Sequence, residues 1–195
     1  MTATLTPRQQ ERRDAVVRAA VDLVAEKGVD ELQMRAVCER SGVALATVYR
    51  YFPSKDQLAA VAFLEWASTL ESSVAIQLPE GDPADRLVDV LRRGIRPFRR
   101  QPNFAQLMIF VSSSRDPLAS ETYLRLGTII RGTMARAIPD VDEDVRERVL
   151  QAIGSIWYHC TVEWVAGRID VDEALRRVES AARLMLPAGA LTNAS

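Results

Sequence analysis

The residues from Leu32 to Leu58, LQMRAVCERSGVALATVYRYFPSKDQL, gather side chains suited to chemistry with a polyanion. Thr47 can hydrogen-bond a base edge or touch a thymine methyl, and Arg50 can fork onto guanine. The Tyr49 and Tyr51 hydroxyls suit phosphate oxygens, as does the Lys55 ammonium at the start of the next helix. Ala44 and Leu45 are short enough to allow close approach to base edges. From Arg40 to Lys55 the basic residues Arg40, Arg50 and Lys55 stand with no acid among them. Two tyrosines flanking an arginine make a poor inert surface, so the expected chemistry is docking on a DNA duplex.

Elsewhere the chain offers little for catalysis. His159 is its single histidine, and no base–nucleophile pair surrounds it; a packed or hydrogen-bonded side chain is expected there. Cys38 and Cys160 lie far apart and form no CxxC or Cys/His cluster, so they read as small apolar residues. No catalytic residue, metal or cofactor is expected. A net charge of -1 excludes a uniformly basic coat but leaves room for a local basic patch. With 48% hydrophobic residues the chain can bury a substantial core. Its start, MTATLTPRQQERR, has no apolar signal-peptide run, and no segment approaches ~20 apolar residues, so a cytoplasmic protein without a membrane partner is expected.

Helices must position these groups, because apolar residues recur at helical spacing and no strand-like alternation is convincing. After Pro7, Ala15, Val16, Ala19, Ala20, Leu23 and Val24 share one face, and Gly28 ends that helix. A second helix spans Met34 to Ser41 and stops at Gly42; a third runs from about Leu45 to Phe52, where Pro53 blocks it. Val37, Val43, Val48 and Phe52 should pack on Leu23 and Val24. Ser54 and Gln57 have capping-box spacing, opening a long helix from Lys55 to about Ile76. The segment Leu78–Pro83 reads as a boundary. Five further helical stretches follow, about Pro83–Gln101, Asn103–Ser112, Pro117–Ile138, Glu143–Gly167 and Val171–Leu186, with Asp140 or Asp142 and Asp170 as caps. The expected fold is all-α, a three-helix helix-turn-helix head (residues 8–54) on a helical effector-binding and dimerisation body (55–187), with a flexible tail (188–195).

The run TVYRYFPSKDQL, after a GV turn and a preceding helix, resembles the head of TetR-type transcriptional repressors. The likeness is strong over roughly residues 10 to 65 and extends to the body in its arrangement of helices. It implies that Arg35, at the start of the second helix, reads the groove. It also implies recognition-helix contacts from Thr47 and Arg50, and backbone or mixed contacts from Tyr49, Tyr51 and Lys55. Gln33 departs from the Thr or Ser cap common in that family. Through QMRAV…YRYFPSK, and more loosely VLQAIGSIWYHCTVEWVAGR and AARLMLP, the chain is similar to actinobacterial repressors of sterol catabolism.

In the body, Phe104, Leu107, Met108, Phe110, Val111, Leu126, Ile130, Met134, Trp157 and Trp164 could line an apolar pocket between helices. The stripe Arg92, Arg93, Arg96, Arg99 and Arg100 reads as a solvated face, or as the seat of an anionic effector group such as a CoA phosphate. Ile153, Cys160, Leu175, Val178 and Ala182, on the last two amphipathic helices, are expected at a homodimer interface. Two heads on a twofold axis would read a palindromic operator with half-sites about a helical turn, or a multiple, apart. The expected partners are therefore double-stranded DNA, a second copy of the chain and a small apolar or amphipathic effector, for which the resemblance suggests a lipid- or sterol-derived CoA thioester. The competing reading is an apolar-ligand-binding dimer with no role on DNA.

Overall fold

The computed structural model describes residues 5–71 and 81–187, and these form nine helices and no strand. They are α1 (Pro7–Lys27), α2 (Met34–Ser41), α3 (Leu45–Tyr51), α4 (Lys55–Glu71), α5 (Pro83–Arg100), α6 (Asn103–Ser112), α7 (Pro117–Ala137), α8 (Glu143–Val165) and α9 (Val171–Met185). The far end expected for α4, the first half of the Leu78–Pro83 boundary and the tail lie outside the described residues.

Punctuation in the sequence explains most helix ends. Thr6 caps α1, accepting from the Gln9 amide while the Gln9 side chain accepts from the Thr6 amide. Gly42 closes α2 at φ 68°, a left-handed conformation that a side chain would strain. Asp82, Asp142 and Asp170 cap α5, α8 and α9. Asp140, the alternative cap for α8, instead pairs with Arg86.

The chain folds into two compact units. Of the described residues, one joins 5–69 with 103–126, and the other joins 70–71 and 81–102 with 127–187. Packing therefore cuts across the expected division at residues 54 and 55. In the first unit α4 and α6 share a core with the head: the Trp66 and Phe104 rings stack with centroids 4.3 Å apart. Val16, Val24, Val37, Val48 and Phe52 are buried there with Leu58, Phe104 and Leu107. Periodicity shows that a helix has an apolar face but not which distant helix will cover it.

In the second unit Leu87 and Leu91 of α5, Ile153 and Cys160 of α8, and Val178 and Ala182 of α9 are buried in one cluster. Ion pairs between α5 and α9 flank it: Arg92–Glu179 at 2.5 Å, Arg99–Asp172 at 2.9 Å and Arg183–Asp85 at 2.6 Å. Exposed pairs of this kind add ~0–1 kcal/mol each, so burial of the apolar faces dominates. Arg93 pairs with Asp89 on its own helix. Three of the five stripe arginines are thus occupied by acids, which leaves Arg96 and Arg100 exposed and in no ion pair among the described residues.

Candidate nucleic-acid interface

The head presents α3 as a short helix held from behind. Val48 is fully buried and Phe52 nearly so, which fixes the roll of α3 and turns the opposite face outward. Ala44, Leu45, Tyr49 and Arg50 are exposed, with Tyr49 at 47% and Leu45 at 37%, and Thr47 is half-exposed. Arg35 is exposed on the first turn of α2. Gln33, at the α2 N-cap, makes no capping bond, and its side-chain amide donates to the Asp30 carbonyl instead. Arg50 lies over the Tyr51 ring, its guanidinium carbon 5.4 Å from the centroid.

Three side chains of the expected basic and tyrosine-rich footprint sit differently from the expectation. Arg40 forms a bidentate pair with Glu26 of α1, at 2.8 and 2.5 Å, and the guanidinium holds that carboxyl below its ordinary pKa. It ties α2 to α1 instead of adding free charge. The Tyr51 hydroxyl is enclosed without a partner, which keeps it from a phosphate. Lys55 is half-buried with its ammonium 5.2 Å from the centre of the Phe110 ring of α6.

The turn between α6 and α7 docks on the start of α4, immediately behind the recognition helix. Ser54 accepts from the Gln57 amide at 3.1 Å and donates to the Asp116 carboxylate at 2.7 Å. The Gln57 side-chain amide donates to Asp116 at 3.3 Å, so the expected second arm of the capping box is replaced by a tertiary contact. Asp116 also accepts from the Leu118 and Ala119 amides, capping α7. These donors, the Ser54 hydroxyl foremost, hold the Asp116 carboxyl below its ordinary pKa. Ser114 bonds Asp56, and at the other end of α6 Asn103 donates to the Val24 and Ala25 carbonyls of α1 at 3.0 and 3.1 Å. Asn103, Ser114 and Asp116 were missed from the sequence. Only Asp116, directly before Pro117 at a helix start, carried a local signal, that of a cap.

The ten residues expected around an apolar pocket are divided. Phe104, Leu107, Met108, Phe110, Val111 and Leu126 belong to the first unit, where all but Phe110 are buried; Ile130, Met134, Trp157 and Trp164 belong to the second. Ile130 is 44% exposed, and Trp157 packs against Phe98 at 6.0 Å. None of the ten lines either of two surface depressions. One, of about 470 Å³, lies in the head between α1 and the α2–α3 turn; the other, of about 450 Å³, runs between α8 and α9.

Four of the five expected dimer contacts are also turned the other way. Ile153, Cys160, Val178 and Ala182 are buried inside the protomer and cannot touch a second copy; Leu175 is half-buried. Each amphipathic helix here uses its apolar stripe to pack on its own chain. The outward surface carries Tyr158 at 37% and Leu184 at 79% exposure, with Ile156, Ser180 and Ala181 around the depression. His159, expected packed, is exposed.

Residues 16–62 match the model of the bacterial regulatory proteins of the tetR family, and residues 81–185 match the tetracyclin repressor-like C-terminal domain. The chain belongs to the TetR family, a class of DNA-binding, ligand-responsive transcriptional regulators and not of enzymes. It is 29% identical to the HTH-type transcriptional repressor KstR of Rhodococcus jostii, over 93% of this chain and 85% of that one. The KstR of Mycolicibacterium smegmatis is 28% identical over 91% and 88%. In fold it is similar to a TetR transcriptional regulator from Rhodococcus sp. RHA1, with a TM-score of 0.78 at 24% identity, covering 93% of this chain and 98% of that one. Regulators of this family bind DNA and small-molecule effectors and act as dimers. Among the described residues no helix is long and apolar enough to cross a membrane.

Proposed function

We propose that this regulator represses transcription as a cytoplasmic homodimer on a palindromic operator. Arg35, Thr47 and Arg50 read bases, Ala44 and Leu45 allow the approach, and Tyr49 and Lys55 grip the backbone. Tyr51 takes no part through its hydroxyl. The outward face of α8 and α9 around Ile156, Ser180, Ala181 and Leu184 meets the same face of the second copy.

The observation that carries the regulatory reading is the Asp116 cluster. An effector that moves α6 or the turn after it pulls on Ser54, Asp56 and Gln57, and so on the helix that directly follows the recognition helix. Met108 and Phe110 of α6 are the residues through which a small apolar or amphipathic effector would move that helix. The likeness to KstR supports a lipid- or sterol-derived CoA thioester as that effector. Only a ligand that binds one arrangement more tightly can shift the other, and a 100-fold change in DNA affinity needs ~2.7 kcal/mol of such coupling.

The test is a gel shift with DNA from upstream of its own gene, with and without a long-chain or sterol-derived CoA thioester. A specific complex whose affinity changes with the thioester is expected. Normal binding by the Arg50→Ala, Tyr49→Ala double variant would contradict the assignment of α3. No specific complex at any protein concentration would favour an apolar-ligand-binding dimer.

A further inference from the structure

The acids of this protein neutralise its arginines unevenly. Arg40, Arg86, Arg92, Arg93, Arg99, Arg168, Arg176, Arg177 and Arg183 each pair with a carboxylate. In the head, Arg35 and Arg50 are in no ion pair among the described residues, as a groove-reading role requires. Three arginines of α1 share that condition, Arg8, Arg12 and Arg18, and the first two are exposed on its first turns. They are four residues apart, so they lie on one face of the helix about 6 Å apart along its axis.

That face borders the depression of about 470 Å³ described above. Its walls are Glu11, Arg12 and Ala15 of α1, Ser41, Gly42, Val43 and Ala44 of the turn, and Thr47 of the recognition helix. Gly42 leaves it open, since a Cβ there would meet nothing within 4 Å. Arg12 thus shares one hollow with Thr47, and Arg8, which does not line it, stands one turn earlier on the same side of α1. Arg13 points elsewhere, over the Phe52 ring at 5.1 Å. Glu11 is the single acid in the lining and would oppose an anion there.

We propose that this hollow is a phosphate-binding site of the operator complex, in which Arg8 and Arg12 hold backbone phosphates of the strand whose bases face Thr47. The proposal rests on the DNA-binding role of the head and extends its footprint from α2–α4 to α1. Such contacts set affinity and register without reading sequence. Their mark is therefore on salt dependence, and it is the same on any duplex.

The test measures dissociation constants of the full-length protein by fluorescence anisotropy, on a random-sequence duplex and on DNA from upstream of its own gene, across salt concentrations. Each phosphate contact contributes about 0.9 to the slope of log affinity against log salt. For Arg8→Ala with Arg12→Ala, losing four contacts per dimer, the slope should fall by about 3.6 on both duplexes. The ratio of specific to random affinity should stay unchanged. Arg12→Lys should retain its share of the slope, and Glu11→Gln should tighten binding several-fold on both duplexes, a gain that a misfolded variant cannot give. Unchanged slopes in the double variant, or weaker binding by Glu11→Gln, would overturn the proposal while leaving the recognition helix standing. Arg50→Ala in parallel must lose specificity but not the phosphate slope. A wild-type protein that bound neither duplex would overturn both.

Discussion

The Lys55 ammonium lies 5.2 Å from the centre of the Phe110 ring, yet it is also the α4 residue assigned to an operator phosphate. A cation over a ring in a partly exposed setting gains ~0.5–1 kcal/mol. If Lys55 must leave the ring to meet the phosphate, that amount is lost on binding, once per head. Replacing Phe110 with leucine keeps an apolar side chain in the half-buried slot and removes the ring. For two heads the release is ~1–2 kcal/mol, which corresponds to operator binding tighter by roughly 5- to 30-fold. Anisotropy with a labelled operator duplex at fixed salt measures it. Lys55→Ala should weaken binding to all sequences and flatten the salt dependence. In the Lys55→Ala background, Phe110→Leu should do nothing further, because the coupled partner is already gone. Phe110→Leu binding with unchanged or lower affinity, or an equal gain in both backgrounds, would refute competition between ring and phosphate. Phe110 would then be only a packing residue of α6.

Further outcomes follow from the same contacts. Asn103→Ala takes a donor from the Ala25 carbonyl and one from Val24, which keeps the Gly28 amide, and should cost ~1–3 kcal/mol of stability, seen as a melting temperature lower by several degrees. The Asp116 carboxyl sits below its ordinary pKa, so its contribution to stability is present above the usual carboxylate range. It is lost as pH falls through the depressed value. Asp116→Asn should remove that acid-side loss, measured by thermal melts at stepped pH, and should blunt the effector's influence on DNA affinity. Leu184→Glu, on the exposed face of α9, should give folded monomers by light scattering. By contrast Ile153→Ala should leave dimers but cost ~2–5 kcal/mol by denaturant unfolding, because Ile153 is fully buried in its own protomer.

Dimerisation and the depth of the head illustrate what periodicity can and cannot say. The spacing of Val149, Ile153, Ile156 and Cys160 announced an amphipathic α8. Nothing in that spacing told whether the apolar stripe meets α5 and α9 of the same chain or a second copy. The protomer takes the stripe, which is why the proposed contact with a second copy falls instead on exposed residues such as Leu184. Lys55 read as a free cation for the same reason, since Phe110 lies 55 positions further along the chain.

The sequence by itself determined what local chemistry determines. Pro7, Gly28, Gly42, Pro53, Asp142 and Asp170 set helix ends, because caps, left-handed turns and proline's missing amide act within a few residues. Val37, Val48 and Phe52 were placed in the head's core by spacing alone, and Tyr49 and Arg50 on its outer face by the same count. Tertiary structure decided which cations remain free, through acids contributed by other helices: Arg40 is held by Glu26 and Arg92 by Glu179, while Arg8, Arg12, Arg35 and Arg50 are not held. It also decided that Asp116 meets Ser54 and Gln57, placing the turn after α6 against the helix that follows the recognition helix. Such contacts depend on how whole helices dock, a sum over many buried side chains that no short run of sequence contains.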